Sequence, residues 1–479
     1  MTTTATLQIE RETLICRLHC RKLNTDVDLS ALSEVISRLP DTTILGGNPS
    51  KTEADGFSYW MAHPVEVFEF CCGQKDPFEK LQQALTKYRL ADIAATNLPK
   101  GIFTGGWVGY FSYDLGSYLE PVSCTNTDDL RLPLIRLCFY DRLIAYDHRE
   151  KSFRLITLEL DDDAETSPQK LSFLETLLDK ARTVRVPVPP PADIENTNFS
   201  QTRSNMSKEY YFNALDKIRR HIYDGDVYQI NFSQRFDCVY LARPIDLFHW
   251  QNRYNPSPYS AYIDAGRFQI ISASPEMFIT VTNGIISTKP IKGTRKRIED
   301  TSVAAGQLNA ENLRQLIASE KEKAELNMII DLERNDVARL CKPGTRKVTQ
   351  PRTIETCPTV FHTVATVAGE LRDDVNFCDI LKAMFPGGSI TGAPKIRAMQ
   401  IIDEIEPTAR GIYTGSIGYL GLDGSVSLNI AIRTVIIENK TACIQTGGGI
   451  VADSEPQAEW NETLVKARAL LAGITAVNR

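Results

Sequence analysis

The chain has 479 residues, of which 42% are hydrophobic and 24% charged, so it can bury a large core in one big domain or two. Its formal net charge of −6 argues against a nucleic-acid-binding protein, and an anionic substrate would need a local positive site. There is no run of about 18 apolar residues and no N-terminal signal-like segment, and the 11 cysteines lack a CxxC pair, so we expect a cytoplasmic protein without a membrane span or a structural zinc site of that type.

The first part of the chain, residues 1–185, mixes strand-like and helix-like segments. Within it, residues 105–114 read Gly-Gly-Trp-Val-Gly-Tyr-Phe-Ser-Tyr-Asp, a glycine-punctuated strand typical of a packed interior. Four prolines at 187, 189, 190 and 191, followed by a polar stretch, predict a linker over 186–206, because proline lacks the N–H donor that a central strand or helix needs. We therefore divide the chain into regions 1–185 and 207–479, joined by this linker.

The second region begins with a helix pattern. Ser207 is a candidate N-cap, Gly225 would end the helix, and the apolar residues between them fall on one stripe: Tyr211, Leu215, Ile218 and Ile222. Residues 227–236 then alternate, which predicts a strand with one polar face formed by Gln229, Asn231, Ser233 and Arg235. Without further motifs, a solvated polar face is the more common interpretation, and a functional surface is the alternative.

Further strand patterns occupy 268–272, 278–282, 285–288, 426–437 and 442–446, and helix patterns lie near 304–333, 376–384, 394–405 and 455–472. Turn residues separate several of the strands at hairpin distances, for example at 283–284 and 438–439. Strands joined by hairpins, with helices between them, predict an α+β fold with mostly antiparallel sheets.

Two helical segments present carboxylates three residues apart, which places both on one face. Glu322 and Glu325 form one pair, and Glu459 and Glu462 form the other. Four carboxylates on two helices could hold a hard cation through oxygen ligands. The more common reading is two solvated faces, since Glu462 and Lys466 also have the spacing of a simple ion pair.

Two glycine-rich stretches and one lysine complete the candidates. Residues 386–395 lead into a helix pattern and 446–449 follow a strand, so either could bring backbone N–H groups to an anion or could serve only as a tight turn. Neither matches a phosphate-binding loop. Lys292, in Lys-Pro-Ile-Lys-Gly-Thr-Arg, could be a nucleophile if burial lowers its pKa, although most such lysines lie at the surface.

These motifs occur together in an order that resembles the chorismate-utilising enzymes. The resemblance covers essentially all of 207–479 and is carried by Gly-Asp-Val-Tyr-Gln-Ile-Asn (225–231), Ser-Pro-Glu (274–276), Pro-Ile-Lys-Gly-Thr (290–294), Asp-Leu-Glu-Arg-Asn-Asp (331–336), the 386–395 stretch, Gly-Gly-Gly-Ile-Val-Ala-Asp-Ser (447–454) and Glu-Trp-Asn-Glu-Thr (459–463). Residues 105–114 also resemble the N-terminal half of the amino-transferring members. The resemblance implies one α+β unit with two large antiparallel sheets packed orthogonally and helices outside, as in anthranilate synthase component I.

The family performs three chemistries: amination at C2, amination at C4 and hydroxylation at C2 of chorismate. Members that attack with water carry a lysine where this chain has Gln229. C2-aminating members typically carry alanine in the Pro-Ile-x-Gly-Thr motif, whereas C4-aminating members carry lysine, as here at Lys292. The resemblance therefore implies amination at C4 to 4-amino-4-deoxychorismate, for 4-aminobenzoate and folate synthesis. The alternatives are C2 amination to anthranilate, for tryptophan synthesis, and a non-catalytic homologue.

Matching of the motifs also implies a role for individual residues. Glu276 corresponds to the general acid for the departing C4 hydroxyl, and Lys292 to a nucleophile that attacks C2. Gln229 and Asn231 would orient ammonia. The chorismate ring and its carboxylate would contact His362, Ser389, Tyr413, Arg433, Lys466 and the N–H groups of Gly447, Gly448 and Gly449. Mg²⁺ would be held by Glu322, Glu325, Glu459 and Glu462.

The resemblance also bears on partners. No Gly-x-Cys-x-Gly glutaminase segment occurs, so we expect ammonia to come from a separate glutamine amidotransferase subunit or from free ammonium. Family members often keep a tryptophan site in the N-terminal half, built partly by a Leu-Leu-x-Ser segment. The corresponding residues here are Ile44, Leu45, Gly46 and Gly47, which lack the serine, so binding of tryptophan stays open.

Overall fold

The structure is a computed structural model and describes residues 13–47, 56–91, 98–161, 163–298, 302–356 and 360–478. Before the predicted linker, a short 3-10 helix follows β6, and the helices and strands in chain order are β1 (Leu14–Leu23), α1 (Leu29–Ile36), β2 (Thr43–Leu45), β3 (Phe57–Met61), β4 (Glu66–Phe70), α2 (Pro77–Thr86), β5 (Tyr88–Leu90), β6 (Gly106–Phe111), β7 (Ile135–Tyr140), β8 (Arg142–Asp147), β9 (Ser152–Leu160) and α3 (Ser167–Thr183).

After the predicted linker, the elements are β10 (Arg203–Ser204), α4 (Lys208–Tyr223), β11 (Gln229–Val239), α5 (Pro244–Tyr254), β12 (Tyr259–Asp264), β13 (Phe268–Ser274), β14 (Met277–Thr282), β15 (Ile285–Lys289), β16 (Ile291–Lys296), α6 (Val303–Ala318), α7 (Glu320–Ala338), β17 (Lys347–Thr356), β18 (Val360–Glu370), α8 (Phe377–Met384), β19 (Gly392–Ala393), α9 (Lys395–Ile405), β20 (Ser416–Gly421), β21 (Val426–Asn429), β22 (Thr434–Glu438), β23 (Thr441–Ile450) and α10 (Pro456–Val477).

These strands form two large sheets. In the described residues, one sheet has 13 strands in the order β10-β11-β23-β22-β13-β12-β2-β3-β8-β9-β1-β5, with β19 beside β11. The other has 10 strands in the order β16-β18-β15-β14-β21-β20-β6-β7-β4, with β17 beside β18. The short pairing of β1 with β5 is parallel, whereas the long pairings of β1 with β9 and of β11 with β23 are antiparallel. The predicted α+β fold with two large, mostly antiparallel sheets is confirmed.

The core lies between the sheets and under the helices. Tyr110 and Ile417 of the ten-stranded sheet pack in one buried cluster with Ile263 and Ile270 of the other sheet. Ile271, the next residue along β13, joins a cluster with α1, α3, α5 and α10 on the outer face, because successive strand residues point to opposite faces. None of the helices in the described ranges is long and apolar enough to cross a lipid bilayer.

The proline-rich segment runs across the surface of α5. Trp250 Nε1 donates a hydrogen bond to Pro190 O at 3.0 Å, and Tyr254 Oη donates to Pro189 O at 2.8 Å. Strands from both sides of this segment share both sheets: β12 pairs with β2, and β20 pairs with β6. The division at 186–206 stays a prediction about sequence regions, and the two regions are joined by continuous sheets.

Three sequence predictions are corrected by the structure. The helix predicted over 304–333 is two helices, because Ser319 has extended backbone angles and its side chain caps α7 by accepting a hydrogen bond from Glu322 N. The strand predicted over 426–437 is two strands, since the chain leaves the ten-stranded sheet after β21 and enters the other sheet at β22. Gly447, Gly448 and Gly449 lie inside β23 and do not form a loop after it.

Candidate active site

The polar face of β11 is buried, so the solvated interpretation of it is wrong. Gln229, Asn231, Ser233 and Arg235 are all less than 9% exposed. Burial of polar groups is favourable only when they are paired with protein or ligand. Ser233 donates to Glu406 Oε1, whereas Gln229 Oε1 is buried without a hydrogen-bond partner. The strand therefore presents to the interior an amide oxygen, Gln229 Oε1, that could accept a hydrogen bond from a ligand.

The glycines of β23 make this arrangement possible. An added Cβ at Gly449 would lie 2.0 Å from Gln229 Nε2, so a larger residue would displace the Gln229 amide. The backbone N–H groups of Asn231 and Ser233 donate away from β23, to Thr391 O and Glu406. In an antiparallel ladder, the residues facing them, Gly449 and Gly447, then also direct their N–H groups away from β11. Those groups are available to a ligand.

Glu276 lies in the two-residue connection between β13 and β14 and is 5% exposed. Ser389 Oγ donates a hydrogen bond to Glu276 Oε1 at 2.7 Å, and Ile291 N approaches the same oxygen at 3.4 Å. Burial raises the pKa of Glu276, while Ser389 and the nearby Lys292 ammonium act in the opposite direction. A raised pKa favours the protonated form of this carboxyl group, which is the form that a general acid requires.

Lys292 lies beside Glu276, on β16. Lys292 Nζ donates to the carbonyl oxygen of Ser389 at 3.2 Å, so one serine contacts both groups. Burial lowers the pKa of Lys292, and the negative charges of Glu276 and Glu325 oppose that shift. A lysine with a lowered pKa has a larger neutral fraction and is a better nucleophile. The structure thus brings the predicted acid and the predicted nucleophile together.

His362, on β18, faces Thr294 of the neighbouring strand β16. The Thr294 hydroxyl and His362 Nδ1 are 2.9 Å apart, and the histidine is 3% exposed. Burial lowers the pKa of His362 to about 4, with a smaller contribution from the positive charge of Arg433. His362 is therefore neutral at physiological pH and lies within electrostatic range of Arg433, as their predicted shared site requires.

The other predicted carboxylate-binding residues come from three separate elements. Tyr413 is 6% exposed, and burial raises its pKa to about 12, while the Asn231 amide acts in the opposite direction. Arg433, in the connection between β21 and β22, has the left-handed φ of 49°. Lys466 Nζ, on α10, donates to Gly447 O at 2.8 Å, and its positive charge acts to lower the pKa of Glu276. Lys466 and Arg433 thus bring positive charge within electrostatic range of Glu276 and His362, respectively, in a chain of negative net charge.

Two of the four predicted metal ligands lie on α10. Glu459 and Glu462 face Gly448, where an added Cβ would lie 3.4 Å from Glu459 Oε2 and 3.1 Å from Glu462 Oε1. Glu459 accepts a hydrogen bond from Ser454 at 2.7 Å, and burial raises its pKa. Burial also opposes ionisation of Glu462, but the ion pair with Lys466 at 2.7 Å prevails and lowers its pKa.

The other two predicted ligands lie on α7. Arg295 Nη1 donates to Glu322 Oε1 at 2.7 Å, while Glu322 Oε2 is buried without a partner. Glu325 is partly buried and within electrostatic range of Lys292. Across the residues that the structure describes, no three acidic, histidine or cysteine side chains converge as a ready metal site. The carboxylate oxygens, the unpartnered Oε2 and the space cleared by Gly448 nevertheless fit a cation such as Mg²⁺, which prefers oxygen ligands.

Sequence reasoning missed the groups that support the site from behind. Arg410, fully buried, donates to Glu406 and to the backbone oxygens of Asn231 and Ile390. Its guanidinium also lies 5.9 Å from the centre of the Tyr413 ring. Arg410 lies in the connection between α9 and β20, where an arginine gives no sign of burial in the sequence, so only the three-dimensional contacts identify it.

A second cavity, the N-terminal cavity, lies between the two regions of the chain and has a volume of about 310 Å³. Its walls include Leu45 and Gly46, from the segment that corresponds to the family's tryptophan site, together with Tyr59, Tyr259 and Tyr419. In the described part of the chain, its lining contains no aspartate, glutamate, lysine or arginine. The part of its lining that the structure describes is rich in aromatic residues and carries no charge, unlike the site around Glu276.

Comparisons with known proteins identify the family. A family profile described as chorismate binding enzyme matches residues 49–472. Aminodeoxychorismate synthase component 1 of Bacillus subtilis (strain 168) is 38% identical over 77% of this chain and 76% of its own length. Anthranilate synthase component 1 of Pseudomonas aeruginosa is 37% identical over 86% of this chain and 82% of its own length.

Solved structures agree with this assignment. Anthranilate synthase component I from Streptococcus pneumoniae TIGR4 superposes with a TM-score of 0.74 at 29% identity, over 94% of this chain and 99% of that one. The menaquinone-specific isochorismate synthase from Escherichia coli superposes with a TM-score of 0.68 at 16% identity, over 97% and 96% of the two chains. The second likeness shows a shared fold only.

Proposed function

The chain belongs to the chorismate-binding enzymes, and we propose that within this family it aminates chorismate at C4 to give 4-amino-4-deoxychorismate. The observation that carries the proposal is the position of Lys292: its amine contacts Ser389, which also contacts Glu276, and burial lowers its pKa. By the resemblance above, lysine at this position is a feature of the C4-aminating members. The product would serve 4-aminobenzoate and folate synthesis.

In the first step, the neutral amine of Lys292 attacks C2 of chorismate. The ring double bonds shift, the C4–O bond breaks, and Glu276 transfers its proton to the departing hydroxyl, which leaves as water. The raised pKa of Glu276 keeps that proton available, and its contact with Ser389 directs the carboxyl. The ammonium nitrogen formed at C2 loses one proton, which returns to the Glu276 carboxylate.

In the second step, ammonia attacks C4, the double bonds shift back and the C2–N bond to Lys292 breaks. The lysine leaves as an amine, and the surplus proton of the new C4 ammonium group provides the proton that it requires. Each step forms a bond at one of the two carbons, C2 or C4, and breaks a bond at the other. After both steps the amino group is on C4, the carbon that lost the hydroxyl. The sum consumes one ammonia and releases one water, so Lys292 and Glu276 are regenerated.

Binding of the substrate would rely on groups around the pair. Arg433, Lys466 and the free N–H groups of Gly447 and Gly449 are suited to a carboxylate, since charged donors form the stronger hydrogen bonds. Gln229, whose Oε1 lacks a partner, and Asn231 would orient ammonia. Mg²⁺, held by Glu322, Glu325, Glu459 and Glu462, would supply positive charge to the ring carboxylate.

The source of ammonia is a further part of the proposal. We expect a separate glutamine amidotransferase subunit, because the sequence contains no Gly-x-Cys-x-Gly glutaminase segment. Purified chain alone should then use ammonium salts but not glutamine. Glutamine should become a substrate only after the amidotransferase subunit is added, and turnover of glutamine by the chain alone would contradict this expectation.

The rival function is amination at C2 to anthranilate, since relatives of both kinds have nearly equal identity to the chain. Product analysis separates the two functions. The purified chain is incubated with chorismate, Mg²⁺ and an ammonium salt at mildly alkaline pH, with and without added aminodeoxychorismate lyase. We expect a non-aromatic amine that the lyase converts to 4-aminobenzoate. Fluorescent anthranilate formed without the lyase would replace the proposal with the rival, and no consumption of chorismate would favour a non-catalytic homologue.

A further inference from the structure

A second buried carboxyl group lies close behind the acid. Glu333, on α7, is 3% exposed, and its side chain faces the backbone of Gly388. An added Cβ at Gly388 would lie 3.3 Å from Glu333 Oε1 and 2.3 Å from a methyl carbon of Leu332. The helix and this part of the 386–395 segment are therefore in direct contact, with glycine leaving just enough room.

The contact matters because Gly388 precedes Ser389. Ser389 donates its hydroxyl to Glu276 at 2.7 Å and accepts a hydrogen bond on its carbonyl from Lys292 at 3.2 Å. Any shift of the Gly388 backbone therefore changes both contacts together. The geometry of the acid and of the nucleophile depends on how firmly this short segment is held.

The same helix holds the far end of the segment. Lys395 Nζ donates to Asp336 at 2.7 Å and to Met384 O at 3.0 Å. Asp336 is one helical turn from Glu333, so one face of α7 contacts the segment near both of its ends. The contact through Lys395 is an ion pair, whereas the contact through Glu333 is made by a carboxyl group against backbone.

Three charged groups face Glu333 from the elements packed around it. Asp336 lies on the same helix, Lys395 starts α9, and Glu276 comes from the β13–β14 connection. Burial raises the pKa of Glu333 to about 7, Asp336 and Glu276 add to the shift, and Lys395 opposes it. Two neighbouring buried carboxyl groups disfavour ionisation of one another.

We propose that Glu333 is a positioning residue for this site: it holds the Gly388 backbone so that Ser389 contacts Glu276 and Lys292 at the same time. The inference rests on the proposed roles of Glu276 and Lys292 in chorismate conversion, but not on which carbon is aminated. Glu333 itself touches neither reacting group in the reaction above.

The test compares Glu333→Gln and Glu333→Leu with the control Asp331→Asn, whose carboxylate is on the same helix and 73% exposed. Chorismate consumption is measured as kcat and KM across neutral and alkaline pH. We expect Glu333→Leu to lower kcat by about tenfold or more with little change in KM, the pattern of a lost transition-state interaction. Asp331→Asn should match the wild type.

The conservative variants distinguish positioning from a loss of folding. Glu333→Gln keeps an oxygen for the Gly388 N–H, so its kcat should lie close to the wild-type value. Glu333→Asp withdraws that oxygen from Gly388 and should lower kcat severalfold while the thermal unfolding temperature stays near that of the wild type, which keeps the proposal testable if Glu333→Leu fails to fold. Wild-type kcat in folded Glu333→Asp, or an equal loss of kcat in Glu333→Gln and Glu333→Leu, would overturn the proposal. Consumption of chorismate is measured irrespective of the product formed. A product other than 4-amino-4-deoxychorismate would therefore contradict C4 amination but not the role of Glu333.

Discussion

The candidate active site and the N-terminal cavity are built by the same two sheets, yet they bury different kinds of side chain. The active site buries ionisable groups, and burial moves the pKa of Glu276 up and that of Lys292 down, both toward neutrality. The N-terminal cavity buries tyrosines, and burial raises the pKa of Tyr419 to about 12, farther from neutrality. The same physical effect thus favours proton exchange by Glu276 and Lys292 and keeps the Tyr419 phenol in its neutral form.

The difference between the two sites shows that the effect of burial on reactivity depends on the type of side chain that is buried. Desolvation disfavours the charged form of every ionisable group. It therefore increases the neutral, nucleophilic fraction of a lysine and the protonated fraction of a carboxyl group, whereas it makes a phenol harder to ionise. Around the active site, Gln229 Oε1 and Glu322 Oε2 are buried without partners. Substitutions at the two sites should therefore differ widely in their effect on turnover.

The largest effect is expected from Lys292→Ala. Loss of the nucleophile should reduce C4 amination by on the order of 10⁴-fold or more, as for other enzymes that lose a covalent catalyst. The matched control is Lys296→Ala on the same strand, where the side chain is 66% exposed, and it should retain activity. Steady-state formation of 4-amino-4-deoxychorismate measures both variants. Near-normal C4 amination by Lys292→Ala would remove the covalent route.

The next effect is expected from Glu276→Gln. Glutamine cannot donate a proton to the leaving hydroxyl, so turnover should fall by about 10²–10⁴-fold. Because the pKa of Glu276 is raised and the protonated form is active, wild-type turnover should decline as pH rises through that pKa. The pH profile of kcat should show this alkaline limb in the wild type and in Glu404→Gln, an exposed control on α9, but not in Glu276→Gln. A limb that persists in Glu276→Gln would assign it to another group.

A smaller, conditional effect is expected from Glu459→Gln. If Glu459 binds Mg²⁺, the metal concentration for half-maximal turnover should rise by about 10–100-fold or more, the cost of losing even an outer partner of a metal site. The control is Glu455→Gln, an exposed carboxylate at the start of the same helix. The stabilisation of the protein by Mg²⁺ in thermal unfolding should weaken in parallel. Equal metal dependence in the two variants would exclude Glu459 as a ligand.

The smallest effect is expected in the N-terminal cavity. Ser427→Val places a β-branched residue on the strand β21 and fills part of the cavity without adding charge. Chorismate turnover should stay within about threefold of wild type, and thermal stability should change little, since partly buried strand positions accept such residues. A large loss of kcat would show that the N-terminal cavity and the candidate active site are coupled and do not act independently.

Much of the fold was predictable because it depends on local patterns. The Ser207 cap, the apolar stripe and Gly225 define α4 as predicted, and alternation defines β11. The strand pattern over 426–437 was misread as one element, because alternation is the same whether a strand stays in one sheet or crosses to another. The N-cap role of Ser319 was also missed, although serine favours helix caps over helix interiors.

The candidate site was predictable only where a motif carried it. Glu276 and Lys292 were identified by resemblance, and the structure brings them together through Ser389. The burial of Glu333 could not be read from the sequence, because a glutamate in a helix is usually solvated. The environment of a charged residue depends on elements distant in the chain, here the segment around Gly388.

The central claim, that Lys292 attacks chorismate, is tested most directly by mass spectrometry of the intact protein after reaction with chorismate in the absence of ammonium. The account predicts an adduct on Lys292 with the mass of chorismate less one water, which disappears on addition of ammonium as 4-amino-4-deoxychorismate forms. An unmodified Lys292 under these conditions, in a protein that still aminates C4 when ammonium is supplied, would contradict the account.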